Sequence, residues 1–200
     1  MTNRRRCLVV LGDSVAEGWG DPDPAGGWIG WPVRLADRLR MPRRHIVNVA
    51  KPGATTADVT QDQLPAVMDL RPDMVVINCG MNDALNGFDR AEVGDRLDEI
   101  FAWARSIGGV AVAAPVPHPP FLERSPMSKL RRGRTLQRIH DFNEELSRSS
   151  RASGMPDLPQ DSVDAVGDPQ LWDDDGIHLN STGHAYVAEV IANILEQPAQ

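Results

Sequence analysis

Leu8-Val9-Val10-Leu11-Gly12-Asp13-Ser14 is the stretch that decides the fold. Four apolar residues, two of them β-branched, end in a glycine and two small polar residues. A run of this kind is a buried strand that delivers side chains to the edge of a sheet. The pattern recurs where Met74-Val75-Val76-Ile77 leads into Gly80-Met81-Asn82-Asp83. Working outward, strands are predicted over 6–11, 45–49, 73–78 and 109–114. A fifth is expected between Leu158 and Val166, although neither Leu158 nor Val163-Asp164-Ala165-Val166 has a strong strand pattern. Helical patterns run over 27–40, 56–70, 89–107, 130–152 and 181–195. This alternation predicts βαβ units and a parallel sheet covered on both faces. Chemistry in such sheets gathers at the carboxyl edge.

Within the last helix, Val187, Val190, Ile191, Ile194 and Leu195 form one apolar stripe, and Ser181 is placed to cap it. Pro65 is expected to bend or restart the second helix. The irregular stretches 18–26 and 115–126 are rich in Pro or Gly, and each follows a strand or its first turn, where loops shape binding sites. Two hundred residues without a linker or repeat read as one domain over 1–200.

A formal net charge of −7 argues against a nucleic-acid partner. The basic runs Arg4-Arg5-Arg6 and Arg131-Arg132-Gly133-Arg134 are therefore read as solvated faces. Cys7 and Cys79 fall in or directly beside predicted strands and are read as buried thiols rather than a disulfide framework. Arg4-Arg5-Arg6 before an apolar run has the look of a signal peptide, but the run is short and leads directly into Gly12-Asp13-Ser14. No stretch approaches the roughly 20 apolar residues of a membrane span. The expectation is a soluble, cytoplasmic protein.

A third block, Asp175-Gly176-Ile177-His178, completes a set with the first two. Between them the blocks supply a hydroxyl, an amide donor, an imidazole and a carboxylate. A serine hydroxyl becomes a useful nucleophile only when a base takes its proton. His178 is the candidate base for Ser14. Asp175 lies three residues before His178, so a single helical turn places both on one face, where the carboxylate orients the ring. The neighbouring Asp173 and Asp174 leave open a merely solvated acidic loop. Asn82 offers a side-chain donor for an oxyanion or a helix cap. Gly53 offers either a backbone donor or position i+2 of a Pro-Gly turn, which requires positive φ.

The blocks, taken in order, resemble the SGNH (GDSL-type) hydrolase family, and the resemblance spans Gly12 to His178. It implies a three-layer α/β/α sandwich with a five-stranded parallel sheet in flavodoxin-like order. It implies Ser14 as nucleophile, His178 as base and Asp175 as its partner. It also implies an oxyanion hole made by the Ser14 and Gly53 backbone N–H groups and the Asn82 side chain. Two positions depart from the family pattern: Val15 stands for Leu and Met81 for a frequent Thr, and neither carries a reacting atom.

Competing motifs are missing. There is no Gly-x-Ser-x-Gly elbow, phosphate loop or dinucleotide fingerprint, and His178 and His184 lack zinc spacing. No metal and no cofactor are expected. Trp19 is assigned to the rim of the substrate pocket, while Trp28 and Trp31 are assigned to the core. His118, in Pro117-His118-Pro119-Pro120, is either a second pocket residue or an incidental loop histidine. His184 is placed in the first turn of the last helix, and His45 and His140 read as structural. The expected activity is cleavage of a small ester, with short acyl chains favoured, through an acyl-enzyme on Ser14. Acyl transfer, carbohydrate O-deacetylation and a catalytically silent binding module are the alternatives. The oligomeric state is not legible.

Overall fold

A computed structural model describes residues 6–156, 158 and 160–196. Arg4 and Arg5 of the first basic run therefore lie outside the described residues, as does Pro159 within the expected fifth strand. The chain runs β1 (Leu8–Gly12), α1 (Ser14–Glu17), α2 (Gly30–Arg38), β2 (Ile46–Asn48), α3 (Thr56–Asp58) and α4 (Leu64–Val67). It continues with β3 (Met74–Asn78), α5 (Met81–Asn86), α6 (Arg90–Ser106), β4 (Val110–Ala113) and α7 (Phe121–Arg124). The last elements are α8 (Lys129–Ala152), α9 (Gln160–Ala165) and α10 (Ser181–Glu196).

The four strands form one parallel sheet in the order β2-β1-β3-β4. Because β1 and β3 are apolar on both faces, alternate residues feed two separate cores. Val9, Leu11, Val75 and Ile77 join Leu97 and Phe101 of α6 and Phe142 of α8 on one side. Leu8, Val10, Met74 and Val76 join Trp31 and Leu35 of α2 and Ile191 of α10 on the other. Fully burying each such side chain is worth roughly 1.5–3 kcal/mol. Of the α10 stripe, Ile191 and Ile194 are buried, and Val187, Val190 and Leu195 pack partly against the same core.

The described residues form four strands, not five. The segment expected as the fifth contains α9 instead. Its two valines, Val163 and Val166, sit three apart with Asp161 and Asp164 between or beside them. That spacing suits one face of a helix, whereas a strand needs alternation. The open edge of β4 is covered in another way, with the Ala111 N–H donating to the Met155 sulfur at 3.4 Å. Sheet edges left bare invite pairing with other chains.

Several smaller expectations change as well. The helix at 56–70 begins in a capping box between Thr55 and Asp58, then widens into a π turn over Val59–Gln63 before α4. Pro65 lacks an N–H and its ring crowds the preceding turn, so the helix restarts there. Asn180, not Ser181, caps α10: its Oδ1 accepts from the Thr182 and Gly183 N–H groups at 3.0 Å each. The Ser181 hydroxyl instead donates to Asp21 at 2.6 Å. Cys7 and Cys79 are free thiols just outside β1 and β3, with Cys79 buried and Cys7 only half-buried. Trp31 is in the core as expected, but Trp28 is half-buried and stacks obliquely on Trp19 at 5.6 Å between ring centroids.

Candidate active site

The carboxyl ends of β1 and β3 bring the first two blocks side by side, with Gly12 in register with Asn78. Gly12 adopts φ +145°, and a Cβ there would collide with the Asn78 carbonyl. Only glycine lets the two backbones approach this closely. The end of β1 is held further by Gln63, whose side-chain amide pairs with both the N–H and the carbonyl of Gly12 at 2.8 Å. Asp13 then caps α1 by accepting from the Val15 N–H at 3.0 Å. Ser14 is thereby the first residue of α1, placed just above the sheet edge.

The Ser14 Oγ lies 2.9 Å from the His178 Nε2, and the His178 Nδ1 lies 2.6 Å from the Asp175 Oδ2. With Nδ1 donating to Asp175, Nε2 is left to accept the Ser14 hydroxyl. Asp175 also accepts from the Ile177 and His178 N–H groups through Oδ1, at 2.9 Å each. Burial pushes this carboxyl up, but the bonds from His178 and Ile177 outweigh it and hold the pKa below the usual carboxylate value. Asp173 is occupied locally, its Oδ1 accepting from the Asp174 N–H. The loop is closed by a bridge between Trp172 and Leu179 and by the Phe121 N–H donating to the Gly176 carbonyl.

Asn82 stands in the first turn of α5, and its Nδ2 donates to the Ala54 carbonyl at 3.1 Å. That bond ties the third strand's exit to the turn holding Gly53. The turn is of the Pro-Gly kind: Gly53 has φ +77° and the Ala54 N–H donates to Lys51. The Lys51 N–H in turn donates to the Gly12 carbonyl, so this turn sits against the end of β1. Ser14 and Asn82 line one cavity of about 90 Å³, and Gly53 does not line it. The cavity is largely apolar, walled by the ends of β3 and β4, by α9 and by α10. Cys79 also lines it, and burial pushes that thiol well above its usual value, which keeps it protonated.

Neither of the two pocket candidates lines the cavity. The Trp19 ring is 5.3 Å from the His178 ring and is 36% exposed. His118 is exposed beside Glu123 at 3.4 Å and does not line the cavity, because the proline-bounded loop turns it outward. His184 is fully buried in the first turn of α10, accepting from the Trp31 N–H at 3.1 Å and donating to the Trp19 carbonyl at 2.8 Å. It is thus a clamp that fixes Trp19 beside His178. Burial lowers its pKa, which keeps the ring neutral.

Sequence reasoning missed several groups. Asp83 is buried and accepts from the Thr56 N–H and hydroxyl, the latter at 2.6 Å. It therefore pins α3 to α5. Gln63 was missed too, because among Thr60, Gln61 and Asp62 one more polar residue carries no signal of its burial. Asp13 is 4% exposed, and burial raises its pKa to about 7. Among the described residues, no group of three or more His, Cys, Asp or Glu is placed to hold a metal ion, and no helix is long and apolar enough to cross a membrane.

Comparison with known proteins bears on this geometry. A family model described as the GDSL-like lipase/acylhydrolase family matches residues 10–186. An arylesterase of Vibrio mimicus is 26% identical over 192 residues, covering 94% of this chain and 87% of that protein. The thioesterase 1/protease 1/lysophospholipase L1 of Escherichia coli K12 is 25% identical over 194 residues, covering 94% and 83%. A crystal structure of TesA superposes with a TM-score of 0.74 at 24% identity, covering 96% of this chain and 98% of that one, and shares its fold.

Proposed function

Because this chain belongs to the GDSL-like lipase/acylhydrolase family, we propose that it hydrolyses carboxylic esters through an acyl-enzyme on Ser14. The observation that carries the reading is the chain of contacts from Ser14 through His178 to Asp175, at 2.9 and 2.6 Å. In the first step the Ser14 Oγ attacks the ester carbonyl while Nε2 of His178 takes the hydroxyl proton. Asp175 keeps Nδ1 protonated and stabilises the imidazolium. The resulting oxyanion accepts from the Ser14 N–H, the Gly53 N–H and the Asn82 Nδ2. One such donor is worth about 3–4 kcal/mol of transition-state stabilisation. His178 returns its proton to the alkoxide, which leaves as alcohol. Water then attacks the acyl-enzyme by the same route and releases the acid.

The cavity beside Ser14 suits the acyl group, being concave and largely apolar. A cavity of roughly 150 Å³ takes benzene, so one of about 90 Å³ holds about four carbon atoms. This favours short acyl chains. The alcohol must sit beside His178, where Trp19 offers an aromatic face. Flat aryl groups or sugar rings stack on such a face. The arylesterase relative fits this reading of the leaving group.

Labelling with a fluorophosphonate tests the proposal. The protein should react at Ser14, and Ser14→Ala should abolish both the label and hydrolysis of p-nitrophenyl acetate, with kcat falling on the order of 10⁵–10⁶-fold. His178→Ala should fall as far, since the residues act as a unit. A protein that hydrolyses the ester but carries the label elsewhere, or one that takes no label, would refute the role of Ser14.

A further inference from the structure

Helix α9 stands in the segment where a fifth strand was expected, and its apolar face belongs to neither core. Val163 of α9 and Val166, in the turn that ends the helix, are three residues apart on one face. Both are half-buried and line the cavity beside Ser14. Asp161 and Asp164 turn to solvent. Two aromatic side chains that also line the cavity hold this wall in place. The Tyr186 hydroxyl donates to the Ser162 carbonyl at 3.3 Å, and the Trp172 indole N–H donates to the Val166 carbonyl at 2.7 Å. Neighbouring walls have structural duties: Val187 and Val190 of α10 pack against the α2-side core, and Ala114 continues β4 through its bond to Ile77. Of the helices that wall the cavity, α9 is the one whose apolar side chains serve the cavity without serving a core.

The geometry points to α9 as the gauge of acyl length, with Val163 and Val166 setting how long a chain the enzyme accepts. This rests on the reading of Ser14 as the acylated residue. A methylene gained or lost in an apolar pocket changes specificity roughly 10–200-fold. Shortening either valine should therefore admit longer acyl chains, and enlarging Val163 should exclude all but the shortest.

The test measures kcat/KM on p-nitrophenyl acetate, butyrate, hexanoate and octanoate, with fluorophosphonate labelling run alongside. The proteins are the full chain, Val163→Ala, Val166→Ala, Val163→Phe and, as a control, Val110→Ala, whose side chain is exposed on β4 away from the cavity. The alanine variants should raise the hexanoate-to-butyrate ratio roughly tenfold. Val163→Phe should lower the butyrate-to-acetate ratio roughly 10–100-fold. Val110→Ala should leave the profile where it is. Normal Ser14 labelling with a chain-length profile that none of the α9 variants moves overturns the gauge alone. Failure of the parent protein to label overturns the reading of Ser14, and the gauge with it. Should Val163→Phe misfold, the two alanine variants decide the question by themselves.

Discussion

Three aspartates precede His178 in a row, and one of them holds the ring. Asp175 spends one oxygen on the loop's own N–H groups and the other on the imidazole. That division fixes both the loop and the ring with a single side chain. Asp173 organises the same turn from outside, since its N–H donates to the His178 carbonyl and its Gly176 contact closes the loop. On the proposed mechanism, Asp175→Ala should lower kcat on the order of 10⁴-fold, less than loss of Ser14 or His178, because the proposed base survives but is no longer oriented. Asp173→Ala should lower it far less. Steady-state rates on one ester compare the two directly. The reverse ranking would assign the carboxylate to the wrong residue.

At the scale of elements, the site depends on how closely β1 and β3 come together and on how α5 leaves β3. Gly80 makes that exit, with φ +119° and its open side directly against the buried Phe142 ring of α8. A methyl group there meets both a strained backbone and a packed aromatic ring. Strain of roughly 1–2 kcal/mol and overpacking of roughly 1–3 kcal/mol add for Gly80→Ala. A drop of roughly 2–4 °C per kcal/mol is expected for a chain of this size. Gly53 also has positive φ, but a Cβ there meets open space, so Gly53→Ala should cost only the strain. Thermal unfolding of the two variants should separate them by several degrees. Equal melting temperatures would mean that Phe142 gives way more easily than a close-packed core allows.

For the whole molecule, stability should depend on pH with two opposing signs. Asp21, Asp58, Asp98, Glu145 and Asp175 are held below the usual carboxylate value, so their contributions weaken on acidification. Asp13 acts the other way. Its folded pKa of about 7, raised first by burial, exceeds an unfolded value of about 3.9. The folded state therefore keeps a proton that the unfolded chain releases, and stability is lost as pH rises from about 4 to 7. Asp13→Asn keeps an acceptor for the Val15 N–H and removes this charge. Its stability relative to the parent should climb across that window by up to about 4 kcal/mol. Urea unfolding at pH 5 and pH 8 measures the difference, and a pH-independent gap would show that Asp13 does not titrate there.

Strand identity was legible because β1 and β3 are buried on both faces, and continuous apolar runs ending in Gly have few other uses. The three blocks were legible for a related reason: Ser14, Asn82, Asp175 and His178 lie within short local patterns whose geometry is set by a few bonds. The missing fifth strand was not legible, because a segment with two valines and interspersed aspartates takes its form from what it packs against. Trp28 and Ser181 were misplaced on the same ground, since their partners Trp19 and Asp21 are chosen by distant or loop geometry. The sequence by itself determined the parallel sheet, its carboxyl edge and the hydroxyl, imidazole and carboxylate brought to it. Only the tertiary structure decided that Gln63 and Asp83 lock the edge and that α9 walls a small apolar cavity. Those outcomes depend on contacts across the fold, Gln63 with Gly12 51 positions away, Asp83 with Thr56 27 away and Tyr186 with Ser162 24 away, and local propensity carries no information about them.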